Sequence, residues 1–223
     1  VLLSTLCQSA PPDLAASLAI AMRLAAALAE LHRRNIIHGG INPQGILVDP
    51  HDWRIQLIDF SSARRAIAEQ HADSLPNLPP GRLMYISPEQ TGRMNRAVDY
   101  RADFYSLGVC LYQLLTGACP FRADDPLETV HAHIEKMPAA PSAINPDIPA
   151  VLDQLVLKLL AKSADERYQS ALGLRADLER CAHEWARRGD IPAFPLGSIE
   201  IVGATSRRDP SRPNQDRCLL SRF

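Results

Sequence analysis

Lysine is nearly missing from this sequence. Of 24 basic residues among 223, only Lys136, Lys158 and Lys162 are lysines, and the first 135 positions hold none. Whatever codon usage lies behind that bias, any chemistry that needs an early lysine is excluded. Glycine and proline, at 11 and 18 residues, fall well short of the roughly 25–30% that marks low-complexity chains. Long apolar runs are missing too. The most apolar stretch, Leu14 to Ala29, contains Arg23 and is shorter than the roughly 20 residues of a bilayer span. Its Pro11-Pro12-Asp13 entrance lacks the charged start of a signal peptide. A net charge of −1 gives no electrostatic case for nucleic acid, although 202–223 carries five Arg against two Asp. The five cysteines, Cys7, Cys110, Cys119, Cys181 and Cys218, are scattered and form no C-x-x-C pair. They read as reduced thiols of a cytoplasmic protein, not as a disulfide framework or a zinc site.

What is present is mainly helical. From Asp13 to about Arg33 the residues Leu14, Leu18, Met22, Ala25, Leu28 and Leu31 recur at helical spacing, with Asp13 placed to cap the helix. Short β-branched runs follow at Ile36-Ile37, Ile46-Leu47-Val48 and Ile55 to Ile58, separated by glycine and proline. The stretch 61–80 has little periodicity and reads as a long surface loop. Helical patterns then cover about 101–116, 126–136, 149–161 and 169–187. The length fits one domain over 1–188 with a linker and disordered tail over 189–223.

Several short motifs occur in a fixed order. His38 lies in Ile36-Ile37-His38-Gly39-Gly40-Ile41-Asn42-Pro43-Gln44-Gly45. Asp59-Phe60-Ser61 ends a strand, and Ser87-Pro88-Glu89 closes the long loop. Asp103-Phe104-Tyr105-Ser106-Leu107-Gly108 opens a helix, and Gly117-Ala118-Cys119-Pro120-Phe121 and Glu166-Arg167-Tyr168 follow. In this order they resemble the C-terminal lobe of the eukaryotic-like Ser/Thr protein kinases over about 13–187. The catalytic loop would occupy 36–61, the activation segment 59–89 and the helical bundle 98–187. The phrase Ser87 to Arg96, with Asp99-Tyr100-Arg101, resembles the kinase-like N-terminal module of large bacterial signalling proteins that continue into an ATPase, a GAF sensor and a histidine kinase.

The resemblance implies which parts phosphoryl transfer needs: phosphate-holding groups, metals and a base that orients the hydroxyl. Only 37 residues precede His38, with neither a Gly-rich loop nor a lysine among them, so the N-lobe is expected to be absent. Gly40 to Gly45 matches G-x-x-x-x-G but lacks the Lys-Ser/Thr of a P-loop. Gly40 stands at the catalytic Asp position, Gly45 at the magnesium-binding Asn position and Asn42 at the Lys position. Arg82 stands where the family has a Thr beside the catalytic Asp. Asp59 remains as the one family-matched metal and nucleotide ligand.

The retained positions have structural roles in the family. His38 and Phe60 would stack in a hydrophobic spine, Asp103 would accept hydrogen bonds from the catalytic-loop backbone, and Glu89 would pair with Arg167. His131 and His133, two apart on a helix, face different sides, which argues against a metal site. Ser74 is open to phosphorylation or is simply a solvated loop serine. The leading expectation is a degenerate kinase-like C-lobe without phosphotransfer. It would be a fragment or frameshifted remnant of a bacterial signalling protein that binds protein partners or its own neighbouring domains. Neither cofactor, nucleic acid nor membrane is expected for it, and an exposed interlobe face would favour self-association. The alternative is a Ser/Thr kinase domain that binds Mg-ATP, its N-lobe supplied by upstream sequence.

Overall fold

The structure, a computed structural model, describes residues 1–9, 12–66, 80–93, 96–123 and 125–198. Among them the helices are α1 (Leu3–Ser9), α2 (Leu14–Arg33), α3 (Pro80–Leu83), α4 (Arg101–Thr116), α5 (Pro126–Glu135), α6 (Pro141–Ile144), α7 (Ala150–Leu159) and α8 (Ala171–Arg188). The strands are short: β1 (Ile36–Ile37), β2 (Ile46–Val48), β3 (Ile55–Leu57) and β4 (Arg64–Arg65). The fold is therefore mainly α, with two antiparallel ribbons, β1 with β4 and β2 with β3.

Local chemistry sets the limits of α2. The Asp13 carboxylate accepts the Ala16 N–H at 2.8 Å, satisfying one of the donors a helix start leaves unpaired. Beyond Arg33 the chain turns through Asn35, whose φ of 56° is a left-handed conformation that asparagine tolerates better than most residues. By length and composition α2 could cross a membrane. Here Leu18, Ile20, Leu24 and Leu28 have no exposed surface, because α2 packs between α8 and α4. Burying each of those side chains contributes about 1.5–3 kcal/mol.

Helix α4 is the axis of the bundle, buried from Ala102 to Tyr112. It meets α7 so closely at Gly108 that a Cβ there would lie 2.7 Å from the Leu159 Cβ. Gly117, at φ 76°, ends α4 and returns its N–H to the Gln113 carbonyl at 2.8 Å, as left-handed glycine caps do. Cys7, Cys110 and Cys181 are buried and Cys119 half-buried, all as free thiols. Burial pushes Cys7 up to about 11 and Cys181 up to about 12. Cys218 lies outside the described residues.

Three segments differ from the sequence reading. α1, for which the sequence offers no cap or acidic first turn, lays Leu3 and Cys7 into the core. Within the expected loop 61–80, Arg64-Arg65 pairs with Ile37-Ile36 and α3 forms at its end; 67–79, with Ser74, lie outside the described residues. The expected linker beginning at 189 instead folds back along α8. There Ile191 and Phe194 are buried, Arg180 stacks on the Phe194 ring, and the Gly197 N–H bonds to Asp177 at 2.7 Å. The tail 199–223 lies outside the described residues.

A buried ion pair crosses the bundle. Arg167, 1% exposed, grips Glu89, 4% exposed, with two parallel bonds of 2.7 and 2.8 Å. Its other N–H groups reach the carbonyls of Ala161, Arg101 and Lys162, and the guanidinium lies over the Tyr105 ring. No donor of the fork is wasted, the condition under which a buried pair offsets its desolvation. Arg167→Met should therefore lower stability by about 3–5 kcal/mol, read by urea unfolding, because it leaves Glu89 buried and unpaired. Adding Glu89→Leu to the same chain should recover much of the loss.

His133, with no exposed surface, shares a 2.9 Å hydrogen bond with the Tyr105 hydroxyl through Nδ1. Burial, reinforced by the nearby Lys162 charge, holds its pKa down to about 3. Below its ordinary value of about 6.5 the unfolded chain binds a proton that the folded chain refuses. Stability should fall as pH drops from about 6.5 toward 3, by on the order of 1 kcal/mol per unit from this group. In His133→Gln the slope of unfolding free energy against pH over that range should become shallower.

Candidate functional site

The loop between β1 and β2 is held from beneath by α4. The buried Asp103 carboxylate accepts the His38 N–H at 2.9 Å and the Gly39 N–H at 2.7 Å. His32, on the last turn of α2, adds Nε2 at 2.9 Å. From the other side Gln90 donates to the Gly39 carbonyl at 2.7 Å. Gly39 has φ 68° and its Cβ position lies 2.8 Å from the Ser62 carbonyl oxygen, so a side chain there would be both strained and blocked.

Asn42 is committed to the loop's own backbone. Its Oδ1 accepts the Gln44 and Gly45 N–H groups at 2.9 and 3.2 Å, and its Nδ2 donates to the Gly40 carbonyl at 2.8 Å. It caps the short 3₁₀ turn Pro43–Gly45, an asparagine ahead of a proline at a helix start. The buried amide carries no charge into the loop.

Gly40 and Gly45 are closed over. A Cβ on Gly40 would lie 3.2 Å from both Cβ and Oγ of Ser62, and one on Gly45 would lie 3.2 Å from the Asp59 Cβ. The chain after β3 has settled onto them. Gly39, Gly40, Asn42, Ser62 and Arg82 line what remains of the cleft. Asp59 Oδ1 accepts the Ser61 N–H at 3.0 Å, while Arg82 holds Oδ2 and also donates to Ser61 Oγ at 3.0 Å. The Ser61 amide and hydroxyl, with help from the Arg82 charge, keep the Asp59 carboxyl below its ordinary range.

His38 is buried, and both of its ring nitrogens lack partners among the described residues. Desolvation accordingly lowers its pKa. Phe60 stacks on it with ring centroids 5.0 Å apart, but 47% of Phe60 is exposed. His131 meets Arg93 at 2.9 Å, apart from the buried His133.

Magnesium, which the resemblance implies, demands near-octahedral oxygen ligation. No group of three His, Cys, Asp or Glu converges among the described residues, and both oxygens of Asp59 already have donors. The residues do not fit a protein-held magnesium.

The sequence reading missed His32, Gln90, Ser62 and the Asp59–Arg82 pair. His32 carries a usable signal, a polar ring one turn before the helix end and shortly before His38. The other contacts join residues 21 to 51 apart, and no local pattern announces them.

Comparison with known proteins agrees with this architecture. Residues 8–185 match the protein kinase domain family. The serine/threonine-protein kinase PknB of Mycolicibacterium smegmatis is 38% identical over 164 residues, 74% of this chain and 25% of that protein. The serine/threonine-protein kinase PksC of Streptomyces coelicolor is 36% identical over 190 residues, 84% of this chain and 34% of that protein. A hybrid signal transduction histidine kinase G of Dictyostelium discoideum is 50% identical over 95 residues, 43% of this chain and 3% of that protein. This chain thus spans a quarter to a third of the Ser/Thr kinases it matches. With the family matched from α1 into α8, and with Ser/Thr kinases among its relatives, the chain belongs to the protein kinase domain family.

Proposed function

We propose that this segment is a degenerate kinase module that has kept the framework of the C-terminal lobe, has lost phosphotransfer, and serves as an interaction module within a bacterial signalling protein. The observation that carries the reading is the state of Gly40. The position offers no side-chain oxygen to take a hydroxyl proton, and Ser62 packs against it. General-base assistance is typically worth about 10²–10⁴ in rate. With Gly45 in place of a second metal-binding side chain, little of the phosphoryl-transfer machinery remains in this segment. The 50% identity to a stretch making up 3% of a hybrid signal transduction histidine kinase supports a place inside a large signalling protein. The partners would then be proteins or neighbouring domains.

A second reading, a Ser/Thr kinase domain using Mg-ATP, draws on the identity to PknB and PksC and on the ionised Asp59. Thermal unfolding of the whole protein with and without Mg-ATP, together with a radiolabel transfer assay, separates the two. The module reading expects an unchanged melting temperature and no label on the protein or on a general acceptor. Nucleotide at 100 times its Kd would add about 2.7 kcal/mol of stability, and such a shift with label incorporation would overturn the reading. Reinstating the reactive groups by Gly40→Asp and Gly45→Asn is expected to require Ser62 and Asp59 to move by a few tenths of an ångström.

A further inference from the structure

The mismatch between this cleft and a metal site has a specific physical source. Asp59 and Arg82 are each about a quarter exposed, their side chains at 26% and 27%, so water reaches the pair without separating it. The Asp59 carboxylate has its two oxygens on different donors, Oδ1 on the Ser61 N–H and Oδ2 on the Arg82 guanidinium. The same guanidinium reaches the Ser61 hydroxyl at 3.0 Å. A planar fork of this kind suits a carboxylate and a neighbouring oxygen at once, where a lysine would offer only a point charge. Arg82 comes from α3, on the far side of the segment 60–79, so the pair ties the two ends of that segment together.

We infer that Arg82 is a built-in counter-cation: it takes the place on Asp59 that a divalent ion would need, and it clasps the chain after β3 down onto Gly39 and Gly40. The cleft is thereby held by an internal ion pair. The guanidinium neutralises the carboxylate while adding donors, and a cleft that needs oxygen acceptors around a metal gains none. An approaching divalent ion meets a fixed positive charge within a few ångströms of the carboxylate it seeks. Even in a water-like dielectric that repulsion is worth about tenfold or more in affinity. The inference stands on the ion pair and not on the loss of phosphotransfer. Label transfer would overturn the module reading and leave the clasp untouched, whereas the experiment below reads the clasp alone.

The probe is Mn²⁺, titrated into the whole protein and followed by its electron paramagnetic resonance signal without nucleotide. Arg82→Gln should bind Mn²⁺ at least tenfold more tightly than the unaltered protein, and Asp59→Asn in the same chain should abolish the gain. Arg82→Lys, which keeps the charge, should keep most of the exclusion. Asp59→Asn alone should leave Mn²⁺ uptake unchanged because that carboxylate is already engaged, and this arm stands even if Arg82→Gln fails to fold. An Arg82→Gln protein that folds and gains nothing, a gain that survives loss of Asp59, or a fall in Mn²⁺ uptake on Asp59→Asn alone would each overturn the inference.

Discussion

The structure turns on the Asp103 carboxylate. It is fully buried on the first turn of α4, where an ionised side chain is tolerable only if donors surround it. The donors come from the His38 and Gly39 backbone and from His32. Hydrogen bonds to a charged group contribute about 1.5–3 kcal/mol each, so the loop between β1 and β2 is pinned by the need of a helix to satisfy its own buried charge. The His32 ring also packs against Tyr100 and Phe104, joining the end of α2 to the same node. Loop shape thus follows from bundle packing.

Glu89 and Arg167 do the same work one layer away. Ser87, ahead of the turn Pro88–Thr91, bonds through its N–H and hydroxyl to Gln90 Oε1 at 2.9 and 3.0 Å, and Gln90 Nε2 reaches back to Gly39. The turn that presents Glu89 to Arg167 therefore also braces the loop held by Asp103. Two buried charges share one stretch of backbone between them, and breaking either is felt by the other. The helices supply the apolar surface that makes both charges costly to expose.

Legibility in the sequence followed the range of the interaction. The Asp13 cap of α2 and the glycine that ends α4 are decided within a few residues, and both helices were placed within a residue of their observed ends. The ordered motifs exposed the family. α1 escaped because it is short, uncapped and held by tertiary burial of Leu3 and Cys7. β4 escaped because two arginines have no strand preference and form a ribbon only where Ile36-Ile37 offers an edge. The stretch after Gly189 looked like linker because isolated Ile191 and Phe194 carry no period; their burial comes from a cation stacked on Phe194 and an amide bonded to Asp177. Asp59 looked free from sequence, since its partner Arg82 lies 23 positions away and no local pattern joins the two.

The buried framework and the cleft differ in what they demand of their charged groups. Asp103, Glu89 and Arg167 are buried, and removing one partner from such a set leaves an uncompensated charge, a cost of several kcal/mol that can unfold a domain of ordinary stability. Gly40 and Arg82 line what remains of the cleft and Gly45 is buried beside Asp59, and a carboxylate added there without a permanent partner would be a burden on stability. Gly40 brings no charge to the cleft, Gly45 lets Asp59 pack close, and Asp59 is paired with Arg82. The charge in the cleft is met by a side chain at its rim, while the charges of the framework are met only inside the bundle.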